Sequence, residues 1–365
     1  MYPLNTQQSY PHHQWWIGAY ADEIGHHIVG RSILGQRVII YRTRAGEAVA
    51  LSGICPHRAY PLEKGRLVDD AVQCGYHGFT FGKDGSCIRV PTQDAAPTRA
   101  AVRRFPVIER GGLIWIWTGP ESAADPALMP DIGRLGLGAP GWKVEQHPRV
   151  TIQARYTLLI DNLLDLSHAS FIHADTIPGG QALAAMPVEV IETQGSLTVQ
   201  RLGRDLPGNP LLRLQFPRHE GHFDQHFDAE YLGPNLLRTG GTTYPAGGAQ
   251  PLGTQNYLHG ITPESPTSVH YFVMTARDFG LDNEALSQLN LDMGARIQPQ
   301  DIDAIESVER VLQSLVEAPH EISARVDTGA LKVRRRLQRQ ILAEEAGQAA
   351  LSGAADPALN PGGPR

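Results

Sequence analysis

The sequence predicts an α+β protein with two domains, an all-β domain followed by a mixed one. The first observation is length, because 365 residues exceed the size of one ordinary domain. The second is a change of pattern, since short strand-like runs come first and helical runs enter only in the second part. The third is composition: 41% apolar and 19% charged residues suit a globular protein with a sizeable core.

The first domain is expected over residues 1–118 and consists of short β-strands. Strand-like runs at 37–42, 48–51 and 113–117 are separated by glycine-containing turns. Residues 119–141 follow, are rich in proline and glycine, and are the predicted linker. The linker holds a formal G-x-G-x-x-G match that follows no apolar strand and leads into the strand-like WKVEQ. Because a dinucleotide site needs strand, turn and helix together, we expect this chain not to bind a nicotinamide cofactor directly.

The second domain is expected over residues 142–346. Helical patterns occupy residues 157–171, 283–292, 301–316 and 329–346. Strand-like runs lie between the first and the second of these helices, at 188–192, 197–201, 222–231, 256–261 and 269–276. Residues 347–365 are rich in alanine, glycine and proline, and a disordered tail is predicted there.

Charge and composition exclude several classes of protein. A formal net charge of -6 argues against a nucleic-acid-binding protein, which would present a basic face. No stretch approaches the ~20 consecutive apolar residues of a membrane span, so no membrane association is expected. The amino terminus lacks the basic start and apolar run of a signal peptide, and 3 cysteines do not suggest a disulfide scaffold. A cytoplasmic location is therefore expected.

Four potential metal ligands occur together in the first domain. Cys55 and His57 form one pair and Cys74 and His77 form a second, each in a predicted turn between strands. In a Rieske [2Fe–2S] centre two cysteines hold one iron and two histidines hold the other. A structural zinc site is the competing interpretation, because Zn²⁺ also accepts two cysteines and two histidines. Zinc fingers usually pair Cys with Cys and His with His, whereas the two types alternate here, which favours the Rieske cluster.

A second group of potential ligands lies on the predicted helix 157–171. This stretch is unusually apolar and should be buried, yet it carries Asn162, Asp165 and His168, with His173 just beyond it. Buried carboxylates and imidazoles are costly unless they are paired or bind a metal. Asp165 lies one turn before His168, within reach of its ring nitrogen. His168 and His173 are about 140° apart on an ideal helix, so both can face one metal only if the helix ends or distorts between them.

Two histidines and one carboxylate form the ligand set of non-haem Fe(II) oxygenases, and the predicted helix 301–316 offers the carboxylate. Asp301 shares one face with the apolar residues of that helix, which are Ile305, Val308, Leu312 and Leu315. Asp303 is rotated by roughly 200° from Asp301 and should be solvated. A second interpretation stays open, in which Asp301 is the N-cap of this helix instead of a metal ligand.

These residues resemble the oxygenase components of Rieske non-haem iron oxygenases, particularly the vanillate O-demethylase and dicamba monooxygenase group. The resemblance covers nearly the whole chain, through the motifs WWIGAYADEI, CPHR, CGYHG, DNLLDLSHASFIH and HGITPES. It implies a Rieske domain followed by a helix-grip (START-like) catalytic domain with an antiparallel sheet. The family's N-x-x-D-x-x-H-x₄-H iron motif assigns ligand roles to His168 and His173. The family's third ligand is an Asp that commonly lies in an E-D-K run. Here the run is Gln300-Asp301-Ile302, so the Asp remains while its flanks depart from the pattern.

The resemblance also implies cofactors and partners. They are a [2Fe–2S] cluster, Fe(II), and NAD(P)H acting only through a separate ferredoxin-type reductase. The assembly would be a head-to-tail trimer in which Asp165 bridges His168 to a Rieske histidine, His77, of the neighbouring subunit. Asn162 would lie near the iron. His259 matches a position that contacts substrate carboxylate in related enzymes, and a satisfied strand histidine is the alternative.

The activity implied by the resemblance uses O₂ to O-demethylate or hydroxylate a small aromatic substrate, expected to be an aromatic acid. The alternative within the family is hydroxylation of a ring, methyl or alicyclic carbon without demethylation. Alternatives from other classes are a zinc-stabilised ligand-binding protein and a protein that only carries electrons. The sequence does not identify the substrate, because periodicity cannot show which of residues 180–290 face the pocket.

Overall fold

The amino-terminal part of the chain is built from short antiparallel strands. The computed structural model describes residues 2–95, 97, 99–193 and 195–354. The strands of this part are β1 (Trp15–Tyr20), β2 (Val29–Ile33), β3 (Gln36–Arg42), β4 (Ala48–Ser52), β5 (Arg66–Val68), β6 (Ala71–Gln73), β7 (Thr80–Phe81), β8 (Cys87–Arg89), β9 (Arg104–Phe105), β10 (Val107–Arg110) and β11 (Leu113–Trp117). In the described residues they pair in the orders β1-β11-β10, β2-β3-β4-β9 and β5-β6-β7-β8. The cysteine–histidine motifs lie in the connections between β4 and β5 and between β6 and β7.

The carboxy-terminal part is dominated by one large antiparallel sheet. Its elements are β12 (Lys143–Gln146), β13 (Val150–Ile152), α1 (Tyr156–Leu164), β14 (Glu189–Glu192), β15 (Leu197–Leu206), α2 (Pro210–Gln215), β16 (Phe223–Gly233), β17 (Leu236–Pro245), β18 (Gly253–Ser265), β19 (Ser268–Arg277), α3 (Glu284–Ser314) and α4 (Thr328–Ala354). The strand order is β12-β19-β18-β17-β16-β15-β14, and β13 also pairs with β19. Antiparallel pairing allows most neighbouring strands to be joined by short connections.

Helix α1 lies against this sheet and contacts the two long helices as well. It touches α3, α4 and strands β16, β17 and β18, which explains why its sequence is so apolar. Two ion pairs attach it to the long helices: Asp161 contacts Arg334 of α4 at 2.6 Å, and Arg155 contacts Glu309 of α3 at 2.7 Å. No helix among the described residues has the length and apolarity needed to cross a membrane.

The two parts of the chain share a hydrophobic core. Trp15 and Trp115 of the small β1-β11-β10 sheet pack in one buried cluster with Leu258 and Phe272 of the large sheet. The predicted linker contributes to the same cluster through Met129, Ile132, Leu135 and Leu137. The segment 119–141 is therefore a packed connection with short 3₁₀ helices, and it leads into strand β12.

Several elements differ from their predicted bounds. Helix α1 ends at Leu164 and the 3₁₀ helix Leu166–Ser170 follows, so the predicted helix is interrupted at Asp165 and ends at Ser170, between His168 and His173 as predicted. Strand β17 was not predicted, because Gly240-Gly241 in its centre resembles a turn signal. Helix α4 continues to Ala354, past the predicted start of the tail at residue 347, since its alanine-rich end favours helix. The rest of the predicted tail, residues 355–365, lies outside the described residues.

The helices predicted at 283–292 and 301–316 form the single helix α3, which continues through Pro299. Asp301 therefore lies inside a helix, and the N-cap interpretation is wrong. The predicted apolar face is wrong in part: Ile305 is buried, but Val308 and Leu315 are 48% and 45% exposed. Glu309 is buried instead. Its ion pair with Arg155 supplies the counter-charge that a buried carboxylate needs.

Candidate metal centres and substrate cavity

Two matching turns carry the cysteine–histidine pairs. In the first, the backbone N–H of Ala59 donates to the carbonyl of Cys55 at 2.9 Å, and in the second, the N–H of Gly78 donates to the carbonyl of Cys74 at 3.1 Å. Ala59 and Gly78 both have positive φ, 52° and 74°. The second value is a conformation that glycine adopts at little cost. Each turn thus starts at a cysteine. The first turn closes two residues after His57, and the second closes one residue after His77.

The cysteines and histidines of these turns differ in burial. Cys55 and Cys74 are buried against the core of this part of the chain and interact with each other. Burial raises the pKa of the Cys55 thiol. His57 and His77 are exposed, and their ring centroids are 4.6 Å apart. Two neighbouring buried sulfurs and two neighbouring imidazoles fit the ligand set of a Rieske cluster, in which each iron takes one pair.

A compact group of potential ligands consists of His168, His173 and Asp301. The Oδ1 atom of Asp301 lies 3.4 Å from Nε2 of His168 and 3.1 Å from Nε2 of His173. The three residues come from the 3₁₀ helix after α1, from the turn that follows it, and from α3. The end of the 3₁₀ helix at Ser170, between the two histidines, is what allows both of them to face one point. The donors match the two-histidine, one-carboxylate set that holds non-haem iron.

The outer nitrogens of both histidines have hydrogen-bond acceptors. His168 Nδ1 bonds the backbone carbonyl of Asp165, and His173 Nδ1 lies 2.8 Å from Oε1 of Gln300. The amide of Gln300 is oriented by its own donation to Thr176 Oγ1 at 3.0 Å. With a ring proton held at Nδ1, Nε2 is the nitrogen of each histidine that points toward Asp301 and that would bind a metal.

Asn162 and the two histidines determine the state of the Asp301 carboxyl. Burial alone would raise the pKa of this group, but hydrogen bonds from His168 and His173 hold that pKa well below its usual range. Asn162 Nδ2 donates to Asp301 Oδ1 at 3.2 Å, while its own buried Oδ1 atom has no hydrogen-bond partner. The site thus provides an ionised carboxylate and an unused amide oxygen beside it.

The carboxylate of Asp165 does not contact His168 in the single chain. It accepts from Arg201 Nη2 at 2.9 Å and from the backbone and hydroxyl of Ser167 at 3.0 and 2.8 Å. The sequence placed this carboxylate within reach of the His168 ring. That expectation is wrong within one chain, because the helix ends at Leu164 and turns the backbone carbonyl of Asp165 toward the ring instead.

A cavity of about 260 Å³ adjoins the three converging side chains. Its walls come from α1, α2, α3, strands β16 to β19 and the segment after α1. Apolar side chains such as Leu163, Phe216 and Val273 supply much of its lining, and amide and hydroxyl groups supply the rest. The volume lies just below the ~300–1,000 Å³ of typical ligand pockets, so it suits a small molecule.

His259 lines this cavity from strand β18, and both of its ring nitrogens are engaged. Nε2 bonds Thr239 Oγ1 at 2.8 Å and Nδ1 bonds the Tyr271 hydroxyl at 2.6 Å. Burial lowers the pKa of His259 to about 3, so the ring is neutral at neutral pH. These contacts favour the satisfied strand histidine over a residue poised to bind a carboxylate.

Comparison with known proteins agrees with this geometry. The family described as "Rieske [2Fe-2S] domain" matches residues 14–106, and the family described as "Vanillate O-demethylase oxygenase C-terminal domain" matches residues 152–343. The putative toluene-4-sulfonate monooxygenase system iron-sulfur subunit of Comamonas testosteroni is 33% identical, over 92% of this chain and 98% of its own. The chain belongs to the Rieske non-haem iron oxygenases. The oxygenase component of dicamba O-demethylase from Stenotrophomonas maltophilia is 32% identical to this Rieske oxygenase, over 89% and 96% of the two chains.

A solved structure supports the same assignment. Dicamba monooxygenase bound to 3,6-dichlorosalicylic acid matches this Rieske oxygenase with a TM-score of 0.84 and 29% identity, over 92% of this chain and 98% of that one. The cofactors of this oxygenase component are therefore a [2Fe–2S] cluster and a non-haem iron. Membership of a multi-component family implies electrons from NAD(P)H through a partner reductase. The zinc-stabilised binding protein is the interpretation that these matches overturn.

Sequence reasoning missed most residues that surround the site of this oxygenase. His226 was left as structural but lines the cavity, whereas His222 is exposed and pairs with Asp205 at 2.9 Å. Gln300 was noted only as a departure from a family pattern, and its contact with the His173 ring depends on the unbroken helix α3. Arg201 gave no local signal, since its carboxylate partner lies far away in the sequence.

Proposed function

We propose that this Rieske oxygenase oxidises a small aromatic substrate beside an iron held by His168, His173 and Asp301. The observation that carries the proposal is the convergence of three potential ligands, from three segments, at a cavity of about 260 Å³. Bound there, Fe(II) would supply the activation of dioxygen, with electrons arriving through the cluster. The proposed cluster ligands are Cys55, His57, Cys74 and His77.

The protein's own groups prepare this centre. The carbonyl of Asp165 and the amide oxygen of Gln300 hold the Nδ1 protons, so that both Nε2 lone pairs stay available. Asn162 orients the Asp301 carboxylate through its Nδ2 donation at 3.2 Å. The apolar part of the cavity wall limits the access of water to the substrate carbon that reacts.

We further propose that electrons enter through residues 1–118 and are used in residues 142–346, with 119–141 joining the two parts. The exposed imidazoles of His57 and His77 support transfer across the surface of the chain. In the head-to-tail trimer that we propose, Asp165 would link His168 to His77 of the partner subunit. The side chain of Asp165 is 24% exposed, which leaves room for that approach.

Hydroxylation without demethylation is the second candidate, and one relative favours it. Toluene-4-sulfonate, for which the 33% identical relative is named, has a ring methyl group and no methoxy group. Oxidation of a methoxy carbon releases formaldehyde and leaves a phenol, whereas oxidation of a methyl or ring carbon leaves an alcohol or phenol without formaldehyde. Formaldehyde release therefore separates the two candidates.

Metal analysis and one variant test the proposed site. Protein purified without oxygen should hold iron and labile sulfide with no matching amount of zinc. His168→Ala should keep the visible absorption of the cluster and lose NADH-driven product formation with the partner reductase. His222→Ala is the matched control, because it removes an exposed histidine paired with Asp205, and it should keep both properties. Unchanged product formation by His168→Ala, or zinc in place of iron, would refute the proposal.

A further inference from the structure

The lining of the substrate cavity contains no permanently cationic side chain among the described residues. Among the described residues that line it, Asp301 is the one carboxylate, and none is a lysine or an arginine. Asp301 is already assigned to the iron in the proposed function. A substrate anion transferred from water into such a cavity would lose its hydration without gaining a cationic partner from the protein.

Two buried arginines on the same face of the sheet are neutralised by other groups. Arg201 on β15 is 1% exposed and pairs with Asp165 at 2.9 Å. Arg277 at the end of β19 pairs with Glu145 at 3.2 Å and also donates to Ser287. Neither side chain lines the cavity. Each of the two charges therefore already has a carboxylate counter-ion within the chain.

Two buried histidines of the lining that are not proposed iron ligands, His147 and His259, do not provide a cation either. Both ring nitrogens of His259 are bonded, to Thr239 and to Tyr271. His147 Nε2 lies 3.0 Å from Thr275 Oγ1. Burial lowers the pKa of each of these histidines below its ordinary value, so both rings stay neutral at neutral pH.

Several hydrogen-bonding side chains of strand β18 and its neighbours line the cavity. Gln255 lies four positions along β18 from His259, which is about 13 Å at ~3.3 Å per residue. Its Nε2 donates to the Tyr257 hydroxyl at 2.6 Å, and its Oε1 accepts from Gln215 Nε2 at 3.0 Å. The Tyr257 hydroxyl therefore accepts one hydrogen bond and keeps its own proton. The hydrogen bonds of the described residues give that proton no acceptor.

The free positions of this group include both donors and acceptors. Burial raises the pKa of Tyr257 to about 12, so its hydroxyl remains a neutral donor. Gln225 also lines the cavity and donates through Nε2 to Thr243 Oγ1 at 3.3 Å, while the hydrogen bonds of the described residues give its amide oxygen no donor. A carboxylate or sulfonate can only accept hydrogen bonds, whereas an amide both donates and accepts.

We propose that this cavity selects a neutral aromatic molecule with a group that both donates and accepts hydrogen bonds, such as a carboxamide, a lactam or a sulfonamide. The matching carboxylate or sulfonate would bind less well. This inference rests on the proposed function, because it takes the His168, His173 and Asp301 end as the reacting end. It replaces the aromatic acid expected from the sequence. It also distinguishes this oxygenase from relatives that are named for toluene-4-sulfonate or seen with 3,6-dichlorosalicylic acid.

Matched ligand pairs of nearly equal shape test the proposal. The pairs are 4-methoxybenzamide with 4-methoxybenzoate, and toluene-4-sulfonamide with toluene-4-sulfonate. Their affinities for the full-length, metal-loaded, oxidised protein would be measured by titration calorimetry at neutral pH. The neutral member of each pair should bind at least about tenfold more tightly, which is ~1.4 kcal/mol. Equal or tighter binding of the anions, or no measurable binding of either neutral ligand, would overturn the proposal.

Three variants connect the preference to the named residues. Gln225→Lys places a cation among the neutral groups and should move the neutral-to-anion affinity ratio at least about tenfold toward the anion. Gln288→Lys makes the same charge change on the exposed face of α3 and should leave the ratio unchanged. Tyr257→Phe removes the free donor and should weaken 4-methoxybenzamide about tenfold, with no loss for anisole. An unchanged ratio in Gln225→Lys, or equal losses for both ligands in Tyr257→Phe, would contradict the assignment.

The two proposals fail in different ways. Affinity is measured without reductase and without turnover, so the charge preference can be read whether or not product forms. Protein that holds iron and cluster but prefers anions would overturn only the charge preference. Protein that prefers the neutral ligands but lacks iron would overturn only the proposed iron site.

Discussion

Removal of the hydrogen-bond acceptor behind His173 should weaken iron binding. Gln300 Oε1 lies 2.8 Å from His173 Nδ1, and the amide is fixed by Thr176. In Gln300→Leu the His173 ring loses the group that holds its proton at Nδ1. Because His173 is buried, water does not readily replace that acceptor. The proton can then move to Nε2, which would block the lone pair that faces Asp301.

The size of the effect follows from the burial of this contact. An unsatisfied buried donor costs about 1–3 kcal/mol, which corresponds to roughly 5- to 150-fold in an equilibrium constant. Removal of an outer partner of a metal-ligating histidine typically costs 10- to 100-fold in metal affinity, in the same range. We therefore expect Gln300→Leu to lower the affinity for Fe(II) by about 30-fold.

Anaerobic Fe(II) titration against a competing chelator would measure this change, with the absorption of the Rieske cluster as an internal check on folding. Gln298→Leu is the matched control on the same helix, because Nε2 of Gln298 has no hydrogen-bond partner to lose. Gln300→Glu keeps an acceptor at the same place and should restore most of the affinity. Equal iron affinity in Gln300→Leu and Gln298→Leu would refute this account of the ring orientation.

Two further predictions concern buried ion pairs that position the same elements. Glu309→Gln should lower the free energy of unfolding by about 3 kcal/mol, measured by urea unfolding, because it leaves the Arg155 charge uncompensated. Burial alone would raise the pKa of Glu309, but Arg155 holds it below its usual value. The stabilisation that Glu309 contributes is therefore fully present above the pKa of ~4.3 that a glutamate has in the unfolded chain. It is lost as pH falls through the lower pKa of the folded state, so the difference in unfolding free energy between wild type and Glu309→Gln should shrink in acid. Asp165→Asn should cost about 3 kcal/mol by leaving Arg201 without its counter-ion, and adding Arg201→Met should recover much of it. A double variant no more stable than Asp165→Asn would contradict that pairing.

The candidate ligands could be predicted from the sequence because their signals are local. Cys55 and His57, and likewise Cys74 and His77, lie within single turns, so their spacing reflects the geometry of one short loop. His168 and His173 follow an apolar helix that has no other use for imidazoles. Asp301 was identified by its position beside Ile305 on a helical face, and that part of the periodicity argument holds although the face does not continue to Val308.

The cavity could not be predicted, because it depends on contacts between distant strands. Thr239 becomes a neighbour of Tyr257 only through the pairing of β17 with β18. Strand β17 itself was missed, although its central glycine is required: a Cβ at Gly240 would lie 2.2 Å from the carbonyl oxygen of Gln255. A pair of glycines has the same appearance in a turn and in a tightly packed strand, and only the partner strand distinguishes them.

Because helix α3 is unbroken, Gln300, which departs from the family's E-D-K pattern, becomes part of the site. Pro299 removes one helical hydrogen bond, at a cost that reaches ~3 kcal/mol in a helix interior. The helix is nevertheless held on both sides of the proline, by buried Leu286 before it and by buried Glu309 after it. Residues that follow each other in a helix point about 100° apart. Gln300 and Asp301 can therefore contact opposite nitrogens of one ring, at 2.8 Å and 3.1 Å from His173. An N-cap at Asp301 would leave Gln300 outside the helix and would not fix this relation, so the helix itself orients the ring between its two partners.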